Sequence, residues 1–222
     1  MQRPPSSAPS LVFALPEYRD MQAQLCASGH EPGELHIDTF PDGERYMRIA
    51  CDVDGRDVVL LGGTTSDAAT LTVFDLGCAL VRCGARRLTL IVPYYGYATM
   101  ERAVHPGEVV TAKTRAALLS AIPMASYGNR ILLLDLHAEG IPHYFEGGLT
   151  AFHVYAKPVL RDIITRLNAE LAKVLNDPTT KKMLAQRGTD PQTSTPEEFA
   201  KFIRSEAERW GKVVRASGAT AD

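Results

Sequence analysis

Short apolar runs alternate with amphipathic segments along about the first 160 residues of the chain. The clearest runs lie at residues 11–15, 57–61, 88–92 and 131–134. They are almost wholly apolar and rich in β-branched residues, which is typical of strands buried in a parallel sheet. Between them, apolar residues at helical spacing predict helices over residues 18–28, 71–83 and 110–122. The alternation predicts an α/β fold, a mostly parallel sheet with helices on both faces.

Residues 34–49 follow a different pattern. Residues 34–40 alternate, with Leu35 and Ile37 on one face, and residues 44–49 form a second candidate strand. The sequence Pro41-Asp42-Gly43 between them has the composition of a turn, because these residue types supply the dihedral angles that tight turns need. This segment therefore predicts an antiparallel hairpin.

Beyond about residue 160 the pattern is helical only. Residues 161–176 carry one apolar stripe, and Pro178 and Gly188 bound a short second helix. The capping box Thr195-Pro-Glu-Glu198 begins a third helix. The apolar stripe of that helix consists of Phe199, Phe202, Ile203, Trp210, Val213 and Val214. The sequence thus predicts a disordered Pro/Ser-rich N-terminus over residues 1–10, an α/β domain over residues 11–160 and a helical tail over residues 161–222 that needs a surface to pack against.

Composition narrows the function classes. The chain has 222 residues and a formal net charge of −2, which gives no reason to expect a nucleic acid partner. Its apolar runs are too short for a membrane span, and the run at residues 11–15 is too short for a signal-peptide core. We therefore expect a cytoplasmic protein without a membrane partner. Cys26, Cys51, Cys78 and Cys83 lack C-x-x-C spacing and are expected to be free thiols, mostly buried.

Polar residues follow two of the predicted strands. Residues 97–108 come after the strand at residues 88–92, and Asp135 and His137 come just after the strand at residues 131–134. In parallel sheets, ligands bind beyond the carboxyl ends of the strands. We therefore expect these two polar segments to share one rim of the sheet.

Four motifs carry a resemblance to a known family. They are, in chain order, Phe40-Pro-Asp-Gly-Glu44, Pro93-Tyr-Tyr-Gly-Tyr-Ala98, Thr111-Ala-Lys113 and Asp135-Leu-His-Ala138. They resemble the motifs of the ribose-phosphate pyrophosphokinases (phosphoribosyl-diphosphate synthases), and the resemblance covers about residues 10–160. It implies a phosphoribosyltransferase-like, Rossmann-like domain. It also implies transfer of diphosphate from Mg-ATP to ribose 5-phosphate for nucleotide biosynthesis, in a homo-oligomeric enzyme.

The same resemblance implies roles for individual residues. The nucleotide-binding residues it implies are Phe40, Asp42, Glu44 and Arg102, and the Mg²⁺-binding residues are Asp135 and His137. Phe40 would stack on adenine, and the hairpin tip would reach a site completed by a neighbouring subunit. Asp135 and His137 would hold the Mg²⁺ of Mg-ATP, directly or through its water shell. No catalytic residue is assigned.

Simpler interpretations stay open for these residues. A Pro-Asp-Gly turn explains the hairpin without any ligand, and a single histidine at a strand end is often structural. Lys113, at a helix start, is either an anion-binding residue or a solvated lysine. Residues 62–66, Gly-Gly-Thr-Thr-Ser, are either a phosphate cradle or an ordinary loop, and they lack the Gly-Lys-Ser/Thr ending of a Walker A motif.

The chain departs from the family pattern in two places. Thr99 and Met100 stand where typical members carry arginine and glutamine, and a hydroxyl does not replace an arginine fork on phosphate. The family's Asp-Thr-x-Gly-Thr ribose-phosphate motif and its basic loop have no match in the chain. Residues 161–222 instead resemble the C-terminal end of periplasmic tripartite tricarboxylate receptors, through Leu175-Asn-Asp-Pro178 and Ser194-Thr-Pro-Glu-Glu-Phe199.

These departures give three hypotheses. The first is an incomplete synthase with little activity by itself. The second is a catalytically inactive nucleotide-binding or assembly subunit that associates with a full-length synthase. The third is a gene fusion without function. A solute receptor is disfavoured, because the two ligand-binding lobes of the receptors have no counterpart in these 222 residues.

Overall fold

The computed structural model describes residues 9–217 and divides into two compact units, Met1–Tyr155 and Ala156–Asp222. The predicted boundary at residue 160 lies within the first helix of the second unit. The predicted disorder of residues 1–8 lies outside the described residues. Pro9 and Ser10 accept hydrogen bonds on their carbonyl oxygens, from the guanidinium of Arg56 and the amide of Glu31.

Residues 9–217 form eight strands and six α-helices. The strands are β1 Leu11–Ala14, β2 Glu31–Pro32, β3 Leu35–Thr39, β4 Arg45–Ile49, β5 Asp57–Leu61, β6 Arg87–Val92, β7 Asn129–Leu134 and β8 Thr150–Val154. The helices are α1 Arg19–Ala27, α2 Asp67–Arg82, α3 Thr111–Ser120, α4 Lys157–Asn176, α5 Pro178–Gln186 and α6 Pro196–Ser217. Short 3-10 turns lie at Pro16–Tyr18 and Ile141–Tyr144.

Six strands form one parallel sheet in the order β2-β1-β5-β6-β7-β8. The predicted α/β fold is therefore confirmed. β3 and β4 pair antiparallel as a separate two-stranded sheet, which confirms the predicted hairpin. The parallel pairing of β6 with β7 also confirms that the segments following these strands share one rim, because parallel neighbours end at the same edge of a sheet.

The main hydrophobic core lies between the sheet and helices α2 and α3. The helical side chains that reach it include Val73, Leu76, Leu80, Ala116 and Leu119. A smaller core lies on the opposite face, where Met21 and Leu25 of α1 pack against β1 and β5. The sheet thus has helices on both faces, as the strand-helix alternation predicted.

Two strands and two helix starts differ from the sequence prediction. β8 alternates exposed and half-buried residues at the sheet edge, and β2 is only two residues long with Pro32 in it, so neither is an apolar run. α2 begins four residues before its first predicted position because the Ser66 hydroxyl accepts a hydrogen bond from the Ala69 amide. α4 begins at Lys157, with Pro158 in its first turn, where a proline is tolerated.

The four cysteines differ in their exposure to solvent. Cys26, Cys51 and Cys78 are free and half-buried, and Cys83 is free and exposed. The expectation that the thiols are mostly buried was therefore wrong, because these residues lie at partly exposed positions on helices and near strand ends.

Within residues 9–217, every helix is too short or too polar to cross a membrane.

Candidate functional site

The loops that follow β5 and β6 are tied together at the carboxyl edge of the sheet. Thr64 is completely buried, and its hydroxyl oxygen accepts a hydrogen bond of 2.8 Å from the Gly96 amide. The Thr64 amide in turn donates to the Tyr94 carbonyl at 3.0 Å. The chain approaches so closely here that a Cβ atom on Gly96 would lie 2.0 Å from the Thr64 carbonyl oxygen. This contact fixes the start of the polar segment at residues 97–108.

Two residues on this rim have backbone angles that L-amino acids rarely adopt. Tyr97, in the loop after β6, has a φ of 61°, and Asp135, directly after β7, has a φ of 42°. Each such residue costs on the order of 1–3 kcal/mol and persists only where the surrounding structure holds it. Strain of this kind at two adjacent strand ends is typical of a functional site.

A three-residue cluster holds the strained Tyr97. The Tyr97 hydroxyl donates to a carboxylate oxygen of Asp67 at 2.7 Å, and Arg115 forms an ion pair with the same carboxylate. The Arg115 guanidinium also lies over the Tyr97 ring, 4.7 Å from its centroid. The hydrogen bond to Asp67 raises the pKa of Tyr97 above its ordinary value, so the phenol remains a neutral donor at pH 7. The cluster joins the start of α2 to the middle of α3 across the rim.

The polar loop after Tyr97 carries Arg102. The Arg102 side chain is 79% exposed, and its Nε atom lies 3.5 Å from the carboxylate of Glu101. Farther along the loop, the Glu108 carboxylate accepts hydrogen bonds from the amides of Val104 and His105. The amides of His105 and Val104 lower the pKa of Glu108 below its ordinary value. The loop is therefore folded on itself, with Arg102 projecting toward solvent.

The segment after β7 carries Asp135 and His137, whose side chains are both exposed. The Asp135 amide donates to the Val154 carbonyl of β8 at 2.9 Å. Between the two candidate metal ligands, the Leu136 amide donates to Nε2 of His153 at 3.0 Å. This hydrogen bond places the His153 proton on Nδ1, because Nε2 acts as the acceptor.

A second layer supports the His153 ring. The ring packs against Tyr155, with centroids 4.0 Å apart, and the Tyr155 hydroxyl lies 3.3 Å from a carboxylate oxygen of Glu139. Glu139 belongs to the same segment as Asp135 and His137. The segment is therefore held at two points by β8 and the residue that follows it.

The rim residues fit a magnesium ion only if most of its ligands come from elsewhere. Mg²⁺ takes oxygen ligands, keeps several waters, and in phosphate sites is bound through one or two carboxylates together with the phosphates. Asp135 offers one carboxylate, and His137 offers an imidazole able to hold a water. Among residues 9–217, His, Cys, Asp and Glu side chains form no group of three that could hold a metal. The donor set suits a cation that arrives with a polyphosphate.

The remaining implied residues lie at the tip of the β3–β4 hairpin. Phe40 is 49% exposed, and its ring meets the edge of Tyr46 with centroids 5.6 Å apart. The Asp42 carboxylate accepts a hydrogen bond from the Glu44 amide at 3.0 Å, so Asp42 does stabilise the turn. Gly43 has a φ of 92°, which explains the glycine. The turn interpretation and a nucleotide role are compatible, because the Phe40 ring and the Glu44 side chain stay exposed.

The structure thus places the implied residues in two locations. Arg102, Asp135 and His137 lie on adjacent loops at the carboxyl edge of the parallel sheet, whereas Phe40, Asp42 and Glu44 lie on the separate hairpin. The Arg45 guanidinium connects the hairpin to the start of α2 through a 3.0 Å hydrogen bond to the Ala68 carbonyl.

The sequence also offered two candidates for anion binding, the loop at residues 62–66 and Lys113. Gly62, Gly63 and Thr64 are buried, and the amides of Gly62 and Thr64 donate to the carbonyls of Ile91 and Tyr94. These two amides are already bonded within the protein and do not take part in a phosphate cradle, and for the rest of the loop the interpretation stays a prediction. Lys113 is exposed in the first turn of α3, a position that fits either interpretation.

Comparison with known proteins identifies the domain that carries this rim. A sequence profile described as the N-terminal domain of ribose phosphate pyrophosphokinase matches residues 10–122, half of the chain. The chain belongs to the ribose-phosphate pyrophosphokinase family. The predicted recognition of this family is therefore confirmed for the N-terminal part.

Individual proteins of the family are similar in sequence to this chain. The ribose-phosphate pyrophosphokinase of Rhodopirellula baltica is 33% identical over 157 residues, which are 68% of this chain and 47% of that protein. The same-named protein of Gloeobacter violaceus is 38% identical over 146 residues, 64% of this chain and 42% of its own length. The chain spans about half the length of the curated relatives it matches.

A solved structure confirms the fold. The crystal structure of phosphoribosylpyrophosphate synthetase from Mycobacterium smegmatis superposes with a TM-score of 0.62 at 26% sequence identity. The match covers 72% of this chain and 53% of that chain.

Sequence reasoning missed three residues of this family domain's rim. Asp67, Arg115 and His153 contact Tyr97 or Leu136 across 17 to 30 positions of sequence. They lie outside the four motifs, and His153 carries no metal-ligand spacing. The one signal in the sequence was position, because Asp67 follows a predicted strand and Arg115 falls within the predicted helix over residues 110–122.

Proposed function

We propose that this chain binds Mg-ATP as a ribose-phosphate pyrophosphokinase homologue. The observation that carries the proposal is the family's N-terminal domain with Arg102, Asp135 and His137 on adjacent loops at its carboxyl edge. In this proposal Phe40 stacks on the adenine, and Asp42 and Glu44 accept hydrogen bonds from the nucleotide. As the family resemblance implies, the hairpin of a neighbouring subunit completes each site.

The rim residues have distinct tasks in this function. Arg102 neutralises phosphate charge, and its partner Glu101 competes for the guanidinium at 3.5 Å. Asp135 and His137 hold the Mg²⁺ and its waters, and the ion neutralises charge on the polyphosphate when bound. Thr99 and Met100 supply no charge to phosphate, so we infer weaker nucleotide binding than an arginine at residue 99 would give.

We further propose that these 222 residues alone transfer diphosphate poorly. Diphosphoryl transfer depends on positioning and charge neutralisation of both substrates. The described residues beyond Tyr155 fold as helices α4, α5 and α6, and the sequence contains no Asp-Thr-x-Gly-Thr ribose-phosphate motif. Ribose 5-phosphate therefore lacks a recognisable binding site in this chain.

The alternative function is that of a catalytically inactive, nucleotide-binding or assembly subunit of a full-length synthase. The lack of the Asp-Thr-x-Gly-Thr ribose-phosphate motif in these 222 residues, beside a match to the family's N-terminal domain, favours it. A non-functional gene fusion is the remaining alternative, with residues 161–222 derived from the C-terminal end of a tricarboxylate receptor.

Calorimetric titration of Mg-ATP into the purified chain tests the first proposal. We expect binding in the millimolar range or tighter, and little AMP release when ribose 5-phosphate is added to the same cell. Absence of binding at millimolar Mg-ATP would contradict the nucleotide roles of Phe40 and His137. Rapid AMP release would contradict the proposal of poor transfer. Co-purification with a full-length synthase would distinguish an assembly subunit from a fusion without function.

The hydrogen bond between the Leu136 amide and His153 predicts that a substitution of His153 changes the Mg²⁺ dependence of ATP binding. His153→Leu removes the acceptor of the Leu136 amide, which lies between the two proposed metal ligands. We expect the free energy of unfolding to fall by about 1 kcal/mol. We also expect ATP binding to require several-fold more Mg²⁺, because residues 135–137 lose a fixed point. The measurement is ATP affinity as a function of Mg²⁺ concentration.

His153→Gln is the matched control, because its amide oxygen can accept the same hydrogen bond near the position of Nε2. We expect the glutamine variant to keep the Mg²⁺ dependence of the wild type. If the leucine variant loses stability but keeps the wild-type Mg²⁺ dependence, His153 has a structural role and does not position the metal-binding segment.

A further inference from the structure

A phenol hydroxyl joins the two polar segments of the rim. Tyr144, the last residue of the 3-10 turn, donates a hydrogen bond from its hydroxyl to the backbone carbonyl of Glu101. Glu101 directly precedes Arg102 in the loop after β6. Tyr144 belongs to the segment after β7, which also carries the two proposed metal ligands. The hydrogen bond therefore connects the proposed phosphate-binding loop to the proposed metal-binding segment.

The 3-10 turn gives the Tyr144 hydroxyl a fixed position. Ile141, at the start of the turn, is completely buried, and Phe145, directly after the turn, is buried beside the Tyr95 ring with centroids 5.9 Å apart. The Tyr144 side chain is half-buried and packs on the main hydrophobic core. Because close-packed neighbours hold the backbone on both sides, the phenol cannot follow the loop when the loop moves.

The loop after β6 is held at two other carbonyl groups before it reaches Glu101. The Thr111 hydroxyl lies 3.4 Å from the Tyr97 carbonyl oxygen, and the Ala112 amide donates to the Met100 carbonyl at 3.3 Å. Both donors belong to the first turn of α3. Both distances are near the upper limit for a hydrogen bond, so these two contacts constrain the loop only weakly.

The peptide between Glu101 and Arg102 is the point at which Tyr144 acts. The Glu101 carbonyl and the Arg102 amide belong to one planar unit, so a hydrogen bond to the carbonyl fixes the orientation of both. The Arg102 side chain is 79% exposed, and its long chain has many rotamers. The direction in which it leaves the backbone therefore decides how often it reaches a bound phosphate. Displacement of this peptide would weaken nucleotide binding without removing any group that contacts the nucleotide.

We propose that Tyr144 is a positioning residue for Mg-ATP, which holds the peptide between Glu101 and Arg102 against the segment after β7. The inference rests on the proposed binding of Mg-ATP at this rim. Tyr144 itself does not contact the nucleotide and acts through Arg102, whose charge meets the phosphates.

Tyr144→Phe removes the hydroxyl and keeps the ring in the core. The net contribution of one such hydrogen bond converts to a factor of about 2 to 10 in an equilibrium constant. We expect Tyr144→Phe to weaken Mg-ATP binding by about this factor in calorimetry, with an unchanged circular dichroism spectrum. A Tyr144→Phe variant that binds Mg-ATP as tightly as the wild type would overturn the proposal.

A double-variant comparison shows whether Tyr144 acts through Arg102. If it does, Tyr144→Phe weakens Mg-ATP binding in the wild type but has little further effect in an Arg102→Ala background. Equal losses in the two backgrounds would overturn the proposal, because they would give Tyr144 a general structural effect that does not depend on the arginine.

Trypsin tests the same contact without nucleotide. Arg102 is exposed and Ala103 follows it, so trypsin cleaves between them when the loop opens. Because the cleavage rate follows the population of the open form, we expect Tyr144→Phe to raise the rate at this bond by about 2- to 10-fold. Mass spectrometry identifies the cut. An unchanged rate at this bond would overturn the proposal, since the hydroxyl would then not hold the peptide.

Tyr127→Phe is the matched control. It also removes one phenol hydroxyl, but Tyr127 lies just before β7, at the opposite edge of the sheet. We expect this variant to bind Mg-ATP and to resist trypsin at Arg102 as the wild type does. Effects as large as those of Tyr144→Phe would contradict a specific role of Tyr144.

Failure of the proposed function would give a different result. If the wild type does not bind Mg-ATP, the nucleotide role of the whole rim fails, and the trypsin rate still decides whether Tyr144 holds the peptide. If the wild type binds Mg-ATP and Arg102→Ala weakens that binding, an unaffected Tyr144→Phe variant contradicts the role of Tyr144 alone.

Discussion

Replacing Gly96 with alanine is expected to destabilise the N-terminal unit by about 3 kcal/mol and to weaken Mg-ATP binding at least 10-fold. The added Cβ atom would lie 2.0 Å from the Thr64 carbonyl oxygen, a backbone atom that cannot rotate away. The two loops would separate, and the 2.8 Å hydrogen bond from the Gly96 amide to Thr64 would be lost. Urea unfolding and calorimetry measure the two effects.

Gly140→Ala is the matched control for this change. Gly140 lies directly before a 3-10 turn and has a φ of −76°, and a methyl group added to its Cα would have no neighbouring atom within 4 Å. We expect its unfolding free energy to stay equal or to rise by less than about 1 kcal/mol, because alanine restricts the unfolded chain. A Gly96→Ala variant as stable as Gly140→Ala would show that the rim loops are not in close contact.

Phe40→Ala is expected to weaken Mg-ATP binding by roughly 5- to 150-fold while leaving stability nearly unchanged. Stacking of a base on an aromatic ring contributes about 1–3 kcal/mol, which converts to this range of affinity. The Phe40 ring is 49% exposed at a hairpin tip, so its loss removes little core packing. Calorimetry gives the affinity, and thermal unfolding gives the stability.

Phe152→Ala is the control of similar exposure. Phe152 is 45% exposed on the edge strand β8, outside the proposed nucleotide contacts. We expect Phe152→Ala to bind Mg-ATP as the wild type does, and Phe40→Trp to bind it at least as well as the wild type. Equal affinities for Phe40→Ala and the wild type would contradict a stacking role and leave Pro41-Asp42-Gly43 as a structural turn.

The core of the parallel sheet was predictable because its strands are apolar on both faces. β5, β6 and β7 each appear in the sequence as an apolar run, and β3 and β4 appear through Pro41-Asp42-Gly43 and the alternation around it. β8 escaped prediction because an edge strand needs only one covered side, and Thr150 and His153 interrupt its apolar residues.

The candidate site was predictable only where local sequence determines it. The shared rim follows from strand order, and Arg102, Asp135 and His137 could be placed on it from the motifs. The residues that hold the rim loops in place could not be predicted. Arg115 contacts Asp67, and His153 contacts Leu136, and both contacts join positions distant in sequence. The positive φ of Tyr97 is likewise a property of those contacts, since tyrosine itself disfavours this conformation.

The strand order also has a consequence for how the sheet assembles during synthesis. β5, β6, β7 and β8 are neighbours in both sequence and space, so each can pair with the strand made just before it. β1 is made first but pairs with β5, and the hairpin lies between them in the chain. On its other side β1 pairs with β2, which follows soon after it, but the pairing of β1 with β5 joins distant segments, and closing that long loop carries an entropic cost. The ribosome therefore releases β1 before β5 exists, whereas the part of the sheet from β5 to β8 can grow one strand at a time as the chain is made.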